Sequence, residues 1–119
     1  MFSVDTFIDL WAYRVPPQKA DEFGRLYGSE GAWVRLFRQA PGYLDTHLYR
    51  DRNDAYRYVT VDRWESEEAF RAFRVRFAEE FEHLDIEGEH LTVEETPLGE
   101  FGSIDISRPA GISDPDIRP

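Results

Sequence analysis

The chain contains no cysteine, which removes disulfides, thiolate nucleophiles, iron–sulfur clusters and cysteine-type zinc sites together. Lysine is almost absent as well: Lys19 is the only one, and arginine supplies every other side-chain cation except histidine. Cations are outnumbered, with 14 Lys+Arg against 24 Asp+Glu and a formal net charge of -10. That balance argues against nucleic-acid and anionic-membrane partners, which hold proteins through attraction to phosphate. No uncharged stretch approaches the roughly 20 residues a membrane span needs. The start, Met1-Phe2-Ser3-Val4-Asp5, has neither a basic region nor a sustained apolar run, so no secretory signal is expected and the expected location is cytoplasmic. There is no Gly-x-Gly-x-x-Gly, phosphate loop or Gly-x-Ser-x-Gly elbow, so nucleotide-dependent and serine-hydrolase chemistry have no support. His83 and His90 lie among Glu82, Glu87, Glu89 and Glu94, but their spacing matches no strong ligand motif and reads as a solvated acidic segment. No metal site is expected.

What is present is a globular composition: 119 residues, 41% hydrophobic and 15% aromatic, enough for one domain with a core. Residues 4–14 alternate as a strand that Pro16-Pro17 ends. Residues 18–40 carry Phe23, Leu26, Tyr27, Val34, Phe37 and Ala40 at helical spacings, interrupted by Gly28-Ser29-Glu30-Gly31, so two helical pieces or a kink are expected. Pro41-Gly42 stops the run. Residues 43–50 and 55–64 read as strands around the turn Asp51-Arg52-Asn53-Asp54. Ser66 is a natural N-cap, and Phe70, Phe73, Phe77, Phe81 and Leu84 run down one stripe of the helix that follows. His90–Glu95 supplies a last strand, closed by Pro97-Leu98-Gly99. The order is βα-ββα-β, the ferredoxin-like α+β arrangement with a four-stranded antiparallel sheet and helices on one face. Residues 1–102 form this domain, and residues 103–119 are expected to be an extended or disordered tail.

One parity of the strands is mostly aliphatic: Ile8, Leu10, Leu44, Leu48, Val59, Val61, Leu91 and Val93. The simplest expectation is that these pack under the helices. The other parity holds Phe7, Asp9, Trp11, Tyr13, Tyr43, Asp45, His47, Tyr49, Tyr58, Thr60, Asp62 and Trp64. It is too aromatic to be left in water as one patch and suits a dimer interface, a ligand pocket, or both.

Pro41-Gly42-Tyr43-Leu44, then Tyr58 to Asp62, then Trp64-Glu65-Ser66-Glu67-Glu68-Ala69-Phe70 resembles the antibiotic biosynthesis monooxygenase domain family. The family pattern is helix, Pro-Gly, strand, turn, strand, Trp-x-Ser-x-x-Ala-Phe, helix, and Leu98-Gly99-x-Phe101 fits its end. The resemblance covers about residues 4–101. It implies a homodimeric α/β barrel of two packed sheets with a cavity in each subunit. Activities in the family include cofactor-free oxygenation of aromatic polyketides, quinol oxygenation and haem degradation. Trp64 matches the family Trp that lines the pocket of haem-degrading relatives. Their first-strand Asn has no counterpart in Asp9-Leu10-Trp11-Ala12, and the helix from Ser66 to Glu82 lacks their axial His, carrying Arg71, Phe73, Arg74 and Phe77 in that region. Haem degradation is therefore disfavoured.

Oxygenation without a cofactor needs an aromatic cavity, a base near neutral pKa and a donor for the developing oxyanion, with O2 as co-substrate. His47 is the expected base, with Trp64 and Tyr58 as catalytic partners. Trp11, Asp9, Asp62, Phe73 and Phe77 are the expected substrate-binding residues, and Asp9 and Asp62 are alternative bases or orienters of His47. The expected partners are a small aromatic substrate and a second copy of the chain. The competing expectation is a non-catalytic dimeric barrel that binds a small hydrophobic ligand or serves as an accessory subunit.

Overall fold

In the computed structural model, which describes residues 6–104, the elements follow the expected order. Strand β1 (Phe7–Arg14) leads through a single 3-10 turn (Pro17–Lys19) into α1 (Ala20–Tyr27). The Gly28–Gly31 segment breaks the helical run as expected, and α2 (Ala32–Phe37) starts beyond it. Strands β2 (Tyr43–Arg50) and β3 (Arg57–Trp64) form a hairpin. In its turn the Asp51 and Asp54 carboxylates accept from the backbone N–H groups of Asn53 and Tyr56, which is the reason Asp and Asn collect there. Helix α3 (Glu67–Arg76) is capped by the Ser66 hydroxyl, which accepts from the Ala69 N–H at 3.1 Å. Helix α4 (Ala78–Glu89) and strand β4 (Glu94–Gly102) complete the domain. The sheet order is β2-β3-β1-β4 and every pairing is antiparallel, so the ferredoxin-like α+β architecture holds.

Several local expectations change. The second helical run is not continuous: it breaks at Phe77 (φ -109°, ψ 32°) and then extends to Glu89. The last strand begins at Glu94, not at His90, so His90 and Leu91 belong to the end of the helical layer. Pro97 lies inside β4, where it is tolerated because β4 is an edge strand whose pairing with β1 slips between Leu10 and Trp11. Of the expected tail only Ser103 and Ile104 lie among the described residues.

The largest correction concerns the faces of the sheet. The aromatic parity, not the aliphatic one, meets the helices. Phe7, Tyr13 and Trp64 are buried in the core beneath them, while Ile8, Leu10, Val59 and Val61 are only half-buried on the opposite face. β2 obeys this rule only in part. Its pairing with β3 jumps between Tyr43 and Asp45, so Leu44 is an extra residue. Beyond it Thr46 and Leu48 lie opposite the inward-facing Asp62 and Thr60, whereas Asp45, His47 and Tyr49 lie opposite Arg63, Val61 and Val59 on the outer face.

Gly42 fixes the start of β2. Its φ is +92°, a left-handed conformation, and a Cβ there would come within 2.5 Å of the Ala69 Cβ. Its carbonyl also accepts from the Glu65 N–H at 2.7 Å, so the Pro-Gly and Trp-x-Ser-x-x-Ala segments are locked to each other.

The core centres on Trp64, which has no solvent exposure. Phe37, Tyr43 and Phe70 stand edge-on to its ring and Phe73 is tilted against it, with centroids 5.1–5.6 Å away. Its indole N–H has no hydrogen-bond partner. Trp64→Ala is therefore expected to cost about 3–5 kcal/mol. Trp64→Phe should cost well under half of that, because it removes an unsatisfied donor along with some volume. Urea denaturation of the two variants measures the difference.

Candidate active site

Between the inner face of the sheet and the helices lies a cavity of about 510 Å³. Its floor is the central pair of strands: Asp9, Trp11 and Tyr13 from β1 and Thr60 and Asp62 from β3, with Thr46 from β2 beside them. The roof is largely aromatic, with Trp33 and Phe37 from α2, Phe70 from α3 and Phe81 from α4. Trp33 and Phe81 meet edge-on at 4.9 Å, joining α2 to α4 above the sheet. Glu95, Pro97, Gly99 and Glu100 of β4 form one side wall. Arg74 also lines the space, its guanidinium 4.0 Å from the centre of the Phe81 ring.

Two carboxyl groups face each other on the floor. Asp9 and Asp62 are direct partners in the β1–β3 register, which brings like charges side by side on one face. Burial raises the Asp62 pKa from 3.8 to about 7, and neighbouring Asp9 adds to the rise. Burial likewise raises Asp9 to about 6; Glu100 reinforces this, while the Trp11 indole, Arg74 and Arg71 oppose it. Glu100 is the Asp9 partner on β4, so three carboxyl groups form a row across β3, β1 and β4. At its outer end Glu100 is held by Arg71, which donates to it at 2.7 Å and also to Glu67 at 3.1 Å.

Asp62 is also held by hydroxyls of the neighbouring strand β2. Tyr43 donates to Thr46 Oγ1 at 2.8 Å, and Thr46 Oγ1 donates to Asp62 Oδ1 at 2.7 Å. The second bond favours the ionised carboxylate and partly opposes the effect of burial. Elsewhere on the floor Tyr13 and Thr60 share a hydrogen bond of 3.2 Å. On the roof, the Trp33 indole N–H lies near enough to the Tyr27 hydroxyl to favour its ionised form slightly, but it closes no hydrogen bond of acceptable geometry.

Of the residues expected from the sequence, the structure brings Asp9, Trp11 and Asp62 together in this cavity. Trp64 and Phe73 are fully buried in the core behind it, and Phe77 packs at the α3–α4 break against Phe73. Tyr58 lies along β3 against Phe23 of α1, away from the carboxyl pair. His47 is not in the cavity. The extra residue at Leu44 turns it to the outer face, where it is half-exposed, stacked on Tyr49 and 3.7 Å from Asp45. Asp45 itself is held there by Arg63 in a two-pronged ion pair at 2.8 and 2.9 Å. Thr46, Trp33, Phe81 and Arg74 are site residues that the sequence reading did not select. Helical periodicity marks Phe81 as inward-facing, but nothing local to Thr46 signals that it replaces His47 on the inner face. Among the described residues no cluster of three or more His, Asp or Glu is placed to hold a metal ion, and no helix is long and apolar enough to cross a membrane.

The sequence profile of the antibiotic biosynthesis monooxygenase family matches residues 6–84. No curated protein is significantly similar in sequence. Among solved structures, a mutant of SnoaB, a cofactor-independent oxygenase from Streptomyces nogalater, superimposes with a TM-score of 0.68 at 22% identity, over 85% of this chain and 95% of that one. A Pseudomonas aeruginosa protein gives a TM-score of 0.64 at 18% identity, over 88% and 99%. A conserved protein from Methanosarcina mazei gives 0.56 at 17% identity, over 84% and 92%. At these identities the superpositions establish a shared fold.

The carboxyl pair has a consequence for stability. Both groups hold protons more tightly in the folded chain than in the unfolded one. The stabilisation this brings is fully present below about pH 4 and is lost as pH rises through about 6 and 7. Asp62→Asn removes the cost of ionising a buried acid while keeping a group that can accept from Thr46. Its stability relative to the unsubstituted chain should improve between pH 5 and pH 8 by on the order of 2 kcal/mol, measured by chemical denaturation at each pH.

Proposed function

Starting from the fact that the chain belongs to the antibiotic biosynthesis monooxygenase family, we propose that it oxygenates an electron-rich aromatic compound of anthrone or quinol type with O2 and no prosthetic group. The observation that carries this reading is the Asp9–Asp62 pair, a base poised near neutrality inside an aromatic cavity.

Such a substrate supplies its own electrons once it is deprotonated. Asp62 accepts the proton, and Asp9 beside it raises the proton affinity needed for that step. The resulting anion passes an electron to O2, and recombination of the two radicals forms a carbon–oxygen bond as a peroxide. Loss of water from the peroxide leaves the quinone. The balance for an anthrone is one substrate and one O2 in, one quinone and one water out. The aromatic roof shields the anion and radical from bulk water, and the Trp33 indole N–H, which has no hydrogen-bond partner, is a cavity donor free to serve a developing oxyanion. Thr46 and Tyr43 act through Asp62 as positioning residues.

The outer sheet face fits a second copy of the chain. Ile8, Leu10, Val59 and Val61 form an aliphatic surface, and Tyr49 and Phe101 stand more than half-exposed beside it. A homodimer through this face covers it and leaves each cavity within its own subunit. Sedimentation should show a dimer that Leu10→Glu with Val61→Glu converts to monomer; a monomeric unsubstituted chain would refute the assignment.

Oxygen uptake with anthrone and quinols on metal-stripped protein tests the activity. Turnover should rise with pH through about 7, as Asp62 ionises. Asp62→Asn should lower kcat by about 100-fold or more. Thr46→Val should move the midpoint of the pH profile upward, which a merely structural role would not do. His47→Ala should leave turnover within about twofold, because its side chain lies on the other face. Absence of uptake across the panel, or full activity in Asp62→Asn, would contradict the reading.

A further inference from the structure

The charge of the cavity wall bears on what can enter it. Five carboxyl groups line the space, Asp9, Asp62, Asp85, Glu95 and Glu100, against a single guanidinium, that of Arg74. They come from four elements: β1, β3, β4 and α4. Two of them, Glu95 and Asp85, sit away from the floor pair and near Tyr27. Burial is the largest cause of the raised pKa of each, and Asp85 and Glu89 together push Glu95 further up. Arg74 does not cancel this surplus. It is already engaged on the Phe81 ring and is shared between Asp9 and Asp85, lowering the pKa of both. Arg71 pairs with Glu100 and with Glu67, so Glu100 adds little to the surplus, which the other four carboxyl groups carry.

A ligand in this space therefore meets aromatic faces, acidic groups and one unpartnered buried donor, the Trp33 indole N–H. Ring faces attract cations, and a low-dielectric acidic wall repels anions more strongly than an exposed one would. The whole-chain charge of -10 acts in the same direction during approach.

We propose that the cavity selects its aromatic ligand by charge, taking uncharged and amine-bearing ring systems, the protonated amine best, and excluding their carboxylated counterparts. Glu95 and Asp85 are the specificity-determining residues. This rests on the reading of the cavity as the substrate site, and it names the substrate class that the site admits.

The test is calorimetric titration of the full chain at pH 7.5 with three probes of one ring size: 2-(aminomethyl)naphthalene, 2-(hydroxymethyl)naphthalene and 2-naphthoate. The amine should bind at least about tenfold more tightly than the carboxylate, with the alcohol between. In the double variant Asp85→Asn with Glu95→Gln, circular dichroism checks the fold, and the ratio of amine to carboxylate affinity should fall to about threefold or less. Naphthoate binding as well as the amine would overturn the proposal. So would a ratio unchanged in the double variant, which would place the selection in the overall charge and not in the wall. Failure of all three probes to bind at millimolar concentration would overturn it too. Oxygen uptake with an uncharged anthrone is read separately. Uptake with the wrong affinity order removes this inference alone, whereas the right order without uptake removes the oxygenase reading alone.

Discussion

The antiparallel register of β1 with β3 places Asp9 directly opposite Asp62, on the face of the sheet that the helices cover. Two carboxyl groups in that position cannot both ionise cheaply, because burial raises both and neighbouring acids act in the same direction, Asp9 on Asp62 and Glu100 on Asp9. The rest of the site can be understood as accommodating them. Thr46 and Tyr43 supply hydroxyls beside Asp62, Arg74 reaches in from α3, and Arg71 holds Glu100 at the end of the row. The surrounding aromatic side chains keep the environment apolar enough for the shifts to persist.

That arrangement links the fold to its chemistry. A protein without a cysteine nucleophile or a histidine in its cavity can still carry a base near neutral pKa if it buries an aspartate beside another. The energetic cost falls on the folded state, and the tight aromatic core around Trp64, with Phe37, Phe70 and Phe73, supplies the packing that offsets it. On either side of the break at Phe77, α3 carries Arg74, and α4 carries Phe81 and Asp85, to the same space.

Much of the fold was legible from local signals. Alternation marked β2 and β3, the Asp-rich turn joined them, Ser66 capped α3, and the Gly28–Gly31 break divided the first helical run. The candidate site was legible only in part. Asp9, Trp11 and Asp62 share a parity, and that parity does face the cavity. Which face meets the helices is a tertiary fact, and here the aromatic face won over the aliphatic one because its large rings fill the space under the helices. Alternation alone puts His47 on the inner face, but the bulge at Leu44 reverses the parity of the rest of β2 and sets Thr46 there in its place. The opposition of Asp9 and Asp62 depends on a register between segments some fifty residues apart, which no local pattern encodes.

The central claim is that the two aspartates titrate as a coupled pair near neutrality. Carbon-13 NMR of the aspartate side-chain carboxyls, followed from pH 3 to 9, observes this directly. Two of the resonances should move in steps with midpoints near 6 and 7, and substitution of Asp9 by Asn should lower the midpoint of the remaining one. Titration of every aspartate near pH 4, with none affected by that substitution, would contradict the account.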